Sequence, residues 1–260
     1  VIVTDHKKAP QQGKNVTVKG DLGQSAAGKT DKNGELTVPE VEQTERHGVY
    51  IVGYTDGTFG PSRSMTRSEA AAIFARLLAE KNGDTISTAA NTRFTDIPAH
   101  AWYSGYAKYL NNNGITYGKS KTIFAPNDAI TRAEFTTLAV RFFDVYGDGD
   151  AEIMEQYKDF NDVSDGYWAA AYIKAAAKHG WINGYGDGSF HADREINRAE
   201  VVTIVNRLLG READEDYIAD NLRKLNTFPD VSRKHWAYYA VMEAANAHTA
   251  VLDESESWSK

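Results

Sequence analysis

The chain has 260 residues, of which 42% are hydrophobic and 25% charged, proportions that are ordinary for a globular protein. Its net charge of −7 argues against a general nucleic-acid-binding protein but not against a local cationic pocket for an acidic ligand. The chain contains no cysteine, so disulfide bonds, thiolate catalysis and cysteine-ligated zinc are excluded. No apolar run approaches the ~20 residues of a membrane-spanning helix, so we expect no membrane insertion.

Residues 1–43 carry strand patterns rather than helical ones. NVTVKGDL and GELTVPEV read as short strands, with the turn sequence DKNG between them. A complete sandwich needs ~100 residues. We therefore interpret 1–43 as a β-rich fragment or linker of a preceding immunoglobulin-like or adhesin-type module.

One sequence in this stretch, GQSAAGKT at 23–30, fits the phosphate loop G-x-x-x-x-G-K-[ST]. A phosphate loop needs a helix after it, because backbone N–H groups at the amino end of that helix hold the phosphates. A turn and a strand follow here, so we predict no nucleotide site and no cofactor.

An internal repeat of 65 to 66 residues begins at Gly53. Its copies read GYTDGTFGPSRSMTRSE at 53–69, GKSKTIFAPNDAITRAE at 118–134 and GYGDGSFHADREINRAE at 184–200. A second element repeats with them as FTDIPAHAW at 94–102, FNDVSDGYW at 160–168 and FPDVSRKHW at 228–236. Fixed spacing of this kind indicates one structural unit used three times.

Both elements lead into predicted helices. After each repeated arginine, apolar residues recur at i, i+3, i+4, i+7 and i+8, which predicts an amphipathic helix with one buried face. After the first two tryptophans, a shorter helix is predicted to end at Gly114 and at Gly180. Acidic linkers follow at 144–159 and 210–227, and the second should add a helical turn or two. DVYGDGDAE in the first resembles half a calcium loop, but the remaining ligand spacing is missing, so we predict no metal site.

The order of the halves predicts how the ends of the chain meet. An arginine half comes first and a tryptophan half last, so we expect the Trp236 helix to pack beside the Arg67 helix and close a ring. The prediction is a mainly α, pseudo-threefold helical domain that is monomeric. Its boundaries are 44–93, 94–159 and 160–227 for the three repeats and 228–260 for the closing tryptophan helix and tail.

The start of each arginine helix carries a capping box, in which an N-cap side chain and a glutamate three residues later satisfy backbone N–H groups. The N-cap residues are Thr66, Thr131 and Asn197. The box does not explain the arginine that follows, since the helix dipole disfavours a cation at the first position. The arginines are Arg67, Arg132 and Arg198. Two alternatives stay open: a clamp for an anionic ligand beside unpaired N–H groups, or an inter-repeat salt bridge to an aspartate of the F-x-D element.

Aromatic and glycine residues recur beside these arginines. Repeated tryptophans are more often core than ligand platforms, but with Tyr54 and Tyr185 they would also suit sugar stacking. The tryptophans are Trp102, Trp168 and Trp236. Gly53, Gly118 and Gly184 should supply either a positive φ or a close backbone approach. The second repeat differs, because Lys119 and Lys121 stand where the others have tyrosine and aspartate.

Together, F-x-D with tryptophan six residues after the aspartate, G-Y-x-D-G-x-F, and T-R-x-E resemble the S-layer homology domain, in three copies over about residues 44–252. The resemblance implies a pseudo-trimer with ligand-binding grooves between repeats. It also implies an exported bacterial protein of the cell wall or S-layer that binds wall polysaccharide linked to peptidoglycan, commonly pyruvylated. It assigns ligand binding to the repeated arginines and tryptophans, and to Asp96, Asp162 and Asp230.

The expected function is therefore non-covalent anchoring of a surface protein, without catalysis. Three grooves of unequal quality are expected, because Asn197 replaces threonine, the second loop lacks D-G, and the last unit reads NAHTAVL. A wall-associated glycoside hydrolase and a purely structural self-assembly domain are the alternatives. Against a hydrolase, equivalent residues recur three times where one carboxylate pair is needed, and the seven histidines show no repeated spacing.

Overall fold

The structure is a computed structural model that describes residues 15–19, 25–29, 32–33, 43–87, 89–147, 159–252 and 256–259. The strands are β1 (Asn15–Lys19), β2 (Ser25–Lys29), β3 (Gln43–His47), β4 (His248–Leu252) and β5 (Glu256–Ser259). The helices are α1 (Arg67–Asn82), α2 (Ser104–Asn112), α3 (Arg132–Tyr146), α4 (Ala170–Lys178), α5 (Arg198–Leu209), α6 (Glu215–Asn221) and α7 (Tyr238–Ala245), with a 3-10 turn at Leu222–Lys224. The mainly α prediction is confirmed.

The chain divides into two compact units. One comprises Val1–Glu45 and Val251–Glu254, and the other Arg46–Ala250 and Ser255–Lys260. In the first, β1 and β2 pair antiparallel, with Asn15 opposite Lys29. Ser25–Lys29 therefore form an extended strand and not a loop around a phosphate. The β3, β4 and β5 strands form a separate sheet with β4 in the centre.

Capping boxes begin the three long helices, as predicted. At α1, Thr66 Oγ1 accepts from the Glu69 backbone N–H at 3.2 Å, while the Glu69 carboxylate accepts from the Thr66 N–H at 2.8 Å. The same reciprocal pair is present at α3 and α5, where Asn197 takes the place of threonine. Asparagine is as good an N-cap as threonine, so this departure leaves the helix start intact.

The predicted apolar stripes form the core. Phe74 of α1 packs against Phe135 and Phe142 of α3, with ring centroids 5.3 and 4.9 Å apart. Each tryptophan half places a short helix against the preceding long one: α2 packs on α1, α4 on α3 and α7 on α5. Gly114 and Gly180 follow α2 and α4 with positive φ angles of 73° and 70°, which confirms the predicted helix ends.

The closing contacts differ from the expected helix pair, because α7 packs against α5 rather than beside α1. The first repeat is instead reached through loops. The carboxylate of Asp230 accepts from the backbone N–H groups of Phe59 and Gly60, at 2.9 and 2.7 Å. Tyr50 N–H also donates to Ala244 O at 3.3 Å. The two chain regions meet, and the overall threefold arrangement stays a prediction.

Only the second of the two acidic linkers lies within the described residues over most of its length. The second contains α6 and the 3-10 turn, as expected, and Asp214 caps α6 by accepting from the Tyr217 N–H at 2.8 Å. The first lies mostly outside the described residues, and with it the calcium-loop resemblance at 144–152.

Candidate functional site

Aspartates of the F-x-D elements hold the loops that carry the repeated phenylalanines. Asp96 accepts from the N–H groups of Phe124 at 2.9 Å and Ala125 at 2.6 Å. The equivalent sets are Asp162 with Phe190 and His191, and Asp230 with Phe59 and Gly60. Ala125 has a positive φ of 57°, so the carboxylate secures a backbone conformation that alanine disfavours.

This arrangement changes the ionisation of Asp162. Burial raises the pKa of its carboxyl, but the backbone N–H groups of Phe190 and His191 outweigh burial and lower that pKa from its ordinary value of 3.8. Because these carboxylates already bind backbone donors, and lie outside the groove linings given below, their role as ligand contacts stays a prediction.

Close packing explains the repeated glycines. A Cβ atom on Gly184 would lie 2.5 Å from Cε1 of Phe160 and 2.6 Å from the carbonyl oxygen of Ser189. Gly53 and Gly118 face equivalent phenylalanine rings at the same distance. A positive φ, 77°, is required in addition at Gly118.

The arginine at the start of each long helix is buried and bonds a phenylalanine carbonyl. The Nε–H groups of Arg67, Arg132 and Arg198 donate to the carbonyl oxygens of Phe124, Phe190 and Phe59, each at 2.8 Å. The helix-start N–H groups are also paired, since the backbone N–H of Arg67 donates to Asp128 O and that of Arg132 to Arg194 O. The helix-start N–H groups are therefore not unpaired, because neighbouring turns supply their acceptors. The binding of an anion by these arginines stays a prediction.

Each of these arginines also forms an inter-repeat ion pair, with a partner other than the expected aspartate. The partner is the capping glutamate of the next long helix. The pairs are Arg67–Glu134 at 3.3 Å, Arg132–Glu200 at 3.0 Å and Arg198–Glu69 at 3.7 Å. Burial lowers the pKa of Arg132, and the Glu200 carboxylate opposes that change. A guanidinium stays charged at neutral pH, so each site keeps a fixed cation.

The residue after each loop glycine contacts the same glutamate. Tyr185 donates its hydroxyl to Glu200 at 3.0 Å, and its ring lies 5.1 Å from the Arg132 guanidinium carbon. In the second repeat, Lys119 lies 3.7 Å from Glu134 and 3.5 Å from Asp128. The Asp128 position is arginine in the other repeats, so the loop exchanges a tyrosine–arginine stack for a lysine–aspartate ion pair.

All three repeated tryptophans lie on the surface. Trp102, Trp168 and Trp236 are 51%, 57% and 64% exposed. The interpretation of these indoles as core residues is therefore wrong. Tryptophan combines a large apolar face with an N–H donor and is enriched at interfaces.

These side chains meet in three grooves, each of which contains two arginines, one glutamate and one tryptophan. Groove 1, of about 240 Å³, contains Arg198, Tyr54, Glu69, Arg76 and Trp102. Groove 2, of about 250 Å³, contains Arg67, Lys119, Glu134, Arg141 and Trp168. Groove 3, of about 190 Å³, contains Arg132, Tyr185, Glu200, Arg207 and Trp236. Each groove combines the buried arginine of one long helix with the loop, the next long helix and the tryptophan that follow it.

A second arginine in each groove escaped the sequence prediction. Arg76, Arg141 and Arg207 each lie nine residues after the buried arginine, and this repeated interval was the available signal. Arg141 donates to the Tyr172 hydroxyl from Nε at 3.2 Å and Nη2 at 3.1 Å, whereas Arg207 is solvent-exposed. Two arginines face one glutamate in every groove, with Lys119 added in groove 2, so each groove is locally cationic on an acidic chain.

The sequence model of the S-layer homology domain matches residues 37–71, 93–136 and 159–202. In the described part of the chain, no helix is long and apolar enough to cross a membrane.

Three curated relatives extend the comparison. A cellulosome-anchoring protein of Acetivibrio thermocellus is 31% identical over 233 residues, covering 89% of this chain and 49% of the relative. A surface-layer 125 kDa protein of Lysinibacillus sphaericus is 32% identical over 163 residues, 61% of this chain and 13% of the relative. An amylopullulanase of Thermoanaerobacterium thermosulfurigenes is 31% identical over 172 residues, 63% of this chain and 8% of the enzyme.

The chain thus spans half or less of the length of each of these relatives. The family matches and the surface-protein relatives indicate a location at the cell surface or cell wall. The chain belongs to the S-layer homology domain family, of which it carries three tandem copies.

Proposed function

We propose that this chain is a non-catalytic module that anchors a bacterial surface protein to the cell wall by binding an acidic wall polysaccharide. In its most specific form, the ligand is a pyruvylated secondary polysaccharide linked to peptidoglycan. The observation that carries the proposal is the combination, in each groove, of two arginines with a half-exposed indole.

The groove chemistry suits an acidic sugar. A guanidinium binds a carboxylate through parallel N–H donors, and such charge-assisted hydrogen bonds are worth roughly 1.5–3 kcal/mol each. The exposed indole offers a flat apolar face against which a sugar ring can stack. Three such grooves would engage one polymer at several places, which raises the overall affinity without new contacts.

The carboxylates of the grooves favour binding over hydrolysis. Each described lining contains a single carboxylate, Glu69, Glu134 or Glu200. Glycoside hydrolysis uses a pair of carboxyl groups roughly 5–9.5 Å apart. The groove carboxylate is moreover engaged by the capping box and by an arginine, so it is placed to support structure.

Sedimentation with purified bacterial cell walls tests the proposal. The chain should pellet with intact walls and stay in solution with walls from which the secondary polysaccharide has been chemically removed. Undiminished binding to bare peptidoglycan would contradict it. Sedimentation velocity without polysaccharide tests self-association in the same preparation.

Matched triple variants make this test specific. Replacing the second arginines Arg76, Arg141 and Arg207 with alanine should abolish pelleting, because every groove loses one cation. The control replaces Lys108, Arg223 and Lys224, which are exposed and outside the groove linings, and removes the same number of positive charges. Equal loss in both variants would show that only net charge matters.

A further inference from the structure

A buried cluster outside the grooves brings two histidines to one glutamate. His47 lies at the end of β3, His248 begins β4 and Glu243 is on α7. Their side chains are 4%, 2% and 0% exposed, respectively. None of the three residues lines a groove, so the proposed anchoring function does not explain why they are buried together.

The distances within the cluster match those of a metal coordination shell. His47 Nδ1 lies 3.1 Å from His248 Nε2, within hydrogen-bond distance. His47 Nδ1 lies 3.3 Å from Glu243 Oε1, and His248 Nε2 lies 3.3 Å from Glu243 Oε2. Four ligands placed tetrahedrally at Zn–N and Zn–O distances of ~2.0–2.1 Å are separated from one another by ~3.3 Å. The separations between neighbouring ligand atoms are thus close to the edges of such a tetrahedron, and one ligand atom from each side chain lies within 4.8 Å of the other two.

The described residues leave the Glu243 carboxylate without hydrogen bonds. Neither oxygen of Glu243 accepts a hydrogen bond from any described residue, although both are fully buried. Burying an ionised carboxylate is costly unless a cation or donors compensate it. A cation held by the three side chains would supply that compensation.

A second contact orients one histidine for ligation. His248 Nδ1 lies 3.0 Å from the carbonyl oxygen of Asn246, which can only accept. Nδ1 therefore carries the proton, and Nε2 presents its lone pair to the cluster. A ring N–H donated to a backbone carbonyl is the usual outer contact of a metal-binding histidine. Trp258 stacks on the same ring with centroids 3.8 Å apart and covers it.

We propose that His47, Glu243 and His248 form a divalent-metal site, with zinc as the metal that best fits two imidazoles and a carboxylate. The metal would join residues 201 positions apart in a chain that has no cysteine for a disulfide. It would also position the segment after His47, where Arg198 Nη2 donates to Val52 O at 2.7 Å and Tyr54 enters groove 1. The site therefore serves as a structural clamp next to that groove.

A proton is the competing cation. A protonated histidine would form an ion pair with Glu243 and satisfy the same carboxylate without metal. The two accounts differ in stoichiometry, because only a metal site takes up one ion per chain.

Metal binding to the tag-free chain decides between them. After chelator treatment and dialysis, zinc chloride should bind with one equivalent per chain by calorimetry. It should raise Tm by roughly 5 °C or more at a hundredfold excess over Kd. Co²⁺ should give the intense visible absorption of a tetrahedral nitrogen and oxygen site.

Conservative variants locate the site. Glu243→Gln and His248→Gln should each lose the stoichiometric equivalent and the cobalt spectrum, whereas His100→Gln, at an exposed histidine, should keep both. Circular dichroism checks that the variants are folded. The cobalt spectrum of the wild-type chain tests the site even if a variant fails to fold. Absence of stoichiometric zinc binding by wild type, or a spectrum of hydrated Co²⁺, overturns the proposal and leaves the proton as the shared cation. Retention of the equivalent by folded Glu243→Gln overturns it as well.

Discussion

Arginine stands at the start of each long helix although the helix dipole disfavours a cation there. The contacts of Arg132 give the reason. Its Nε–H donates to the Phe190 carbonyl oxygen at 2.8 Å, and its Nη1 donates to the Glu200 carboxylate of the next long helix at 3.0 Å. One side chain therefore joins a loop and a helix of the neighbouring repeat. Because this buried arginine supports the fold, its removal would confuse binding with stability, and the second arginine is the better probe.

Arg207→Ala should weaken the binding of acidic saccharide to groove 3 with little effect on folding. Arg207 is exposed, so its loss should change Tm by no more than a degree or two, whereas a charge-assisted contact to ligand is worth about tenfold in affinity or more. Titration calorimetry with an acidic wall saccharide measures this. Arg223→Ala, at an exposed arginine outside the grooves, is the control. Unchanged heats and stoichiometry for Arg207→Ala would exclude that residue from the site.

Acidification should destabilise the protein through Asp162. The folded state lowers the pKa of this carboxyl from 3.8, so its stabilising contribution is present above that value and is lost as the pH falls through the lowered pKa. Urea unfolding of wild type should show a falling midpoint below about pH 4. Asp162→Asn should be less stable at neutral pH and should fall less steeply on acidification. Parallel profiles of wild type and variant would refute this role.

At the level of elements, the three repeats differ most in the loop from the repeated glycine to the repeated phenylalanine, at 53–59, 118–124 and 184–190. Tyr185 and Lys119 occupy the same position and reach the same type of glutamate, although one is aromatic and the other cationic. The backbone anchors are kept in all three copies: the aspartate below the loop and the glycine against the phenylalanine ring. Side-chain chemistry at the groove can therefore differ while the loop keeps its place.

Gly184→Ala should destabilise the protein, by about 2 kcal/mol or more, because the new Cβ meets the Phe160 ring and the Ser189 carbonyl. Gly186 in the same loop is the matched control, since a Cβ there meets nothing within 4 Å and its φ is not positive. Gly186→Ala should be neutral or slightly stabilising, by up to about 1 kcal/mol. Chemical denaturation of both variants checks the difference. Equal effects would show that close packing is not the reason for Gly184.

Sequence patterns predicted what depends on local periodicity and fixed spacing. The capping boxes, the buried faces of the long helices and the helix ends at Gly114 and Gly180 follow from nearby residues. The sequence did not predict that glutamates pair with the arginines, because the aspartates of the F-x-D elements were equally plausible partners. Only the structure shows that these aspartates accept hydrogen bonds from backbone N–H groups of the loops. His47 and Glu243 escaped for another reason, since residues so distant in the chain share no pattern.

At the level of the whole molecule, the C-terminal element completes the first repeat. Asp230 bonds the loop at Phe59 and Gly60, while α7 packs on α5. Groove 3 needs Trp236 from the same segment. Groove 1 in turn combines Arg198 with Tyr54 and Trp102, so this groove joins residues from distant parts of the chain.

Deletion of residues 228–260 should therefore affect more than groove 3. The core loses α7, and the loop at Phe59 loses its carboxylate, so cooperative unfolding should weaken or disappear. Thermal unfolding followed by circular dichroism provides the measurement. A shortened chain that unfolds with an unchanged Tm would show that the closing contacts add nothing to stability.

The proposed anchoring depends on recognition, by the grooves, of an acidic group on a wall saccharide. Calorimetric titration of the chain with a defined pyruvylated saccharide, and with the same saccharide after removal of pyruvate, measures this recognition. Loss of the carboxylate should weaken binding by about tenfold or more, since its contacts to guanidinium are charge-assisted. Equal affinity for the two saccharides, or no binding of the pyruvylated one, would rule out this recognition.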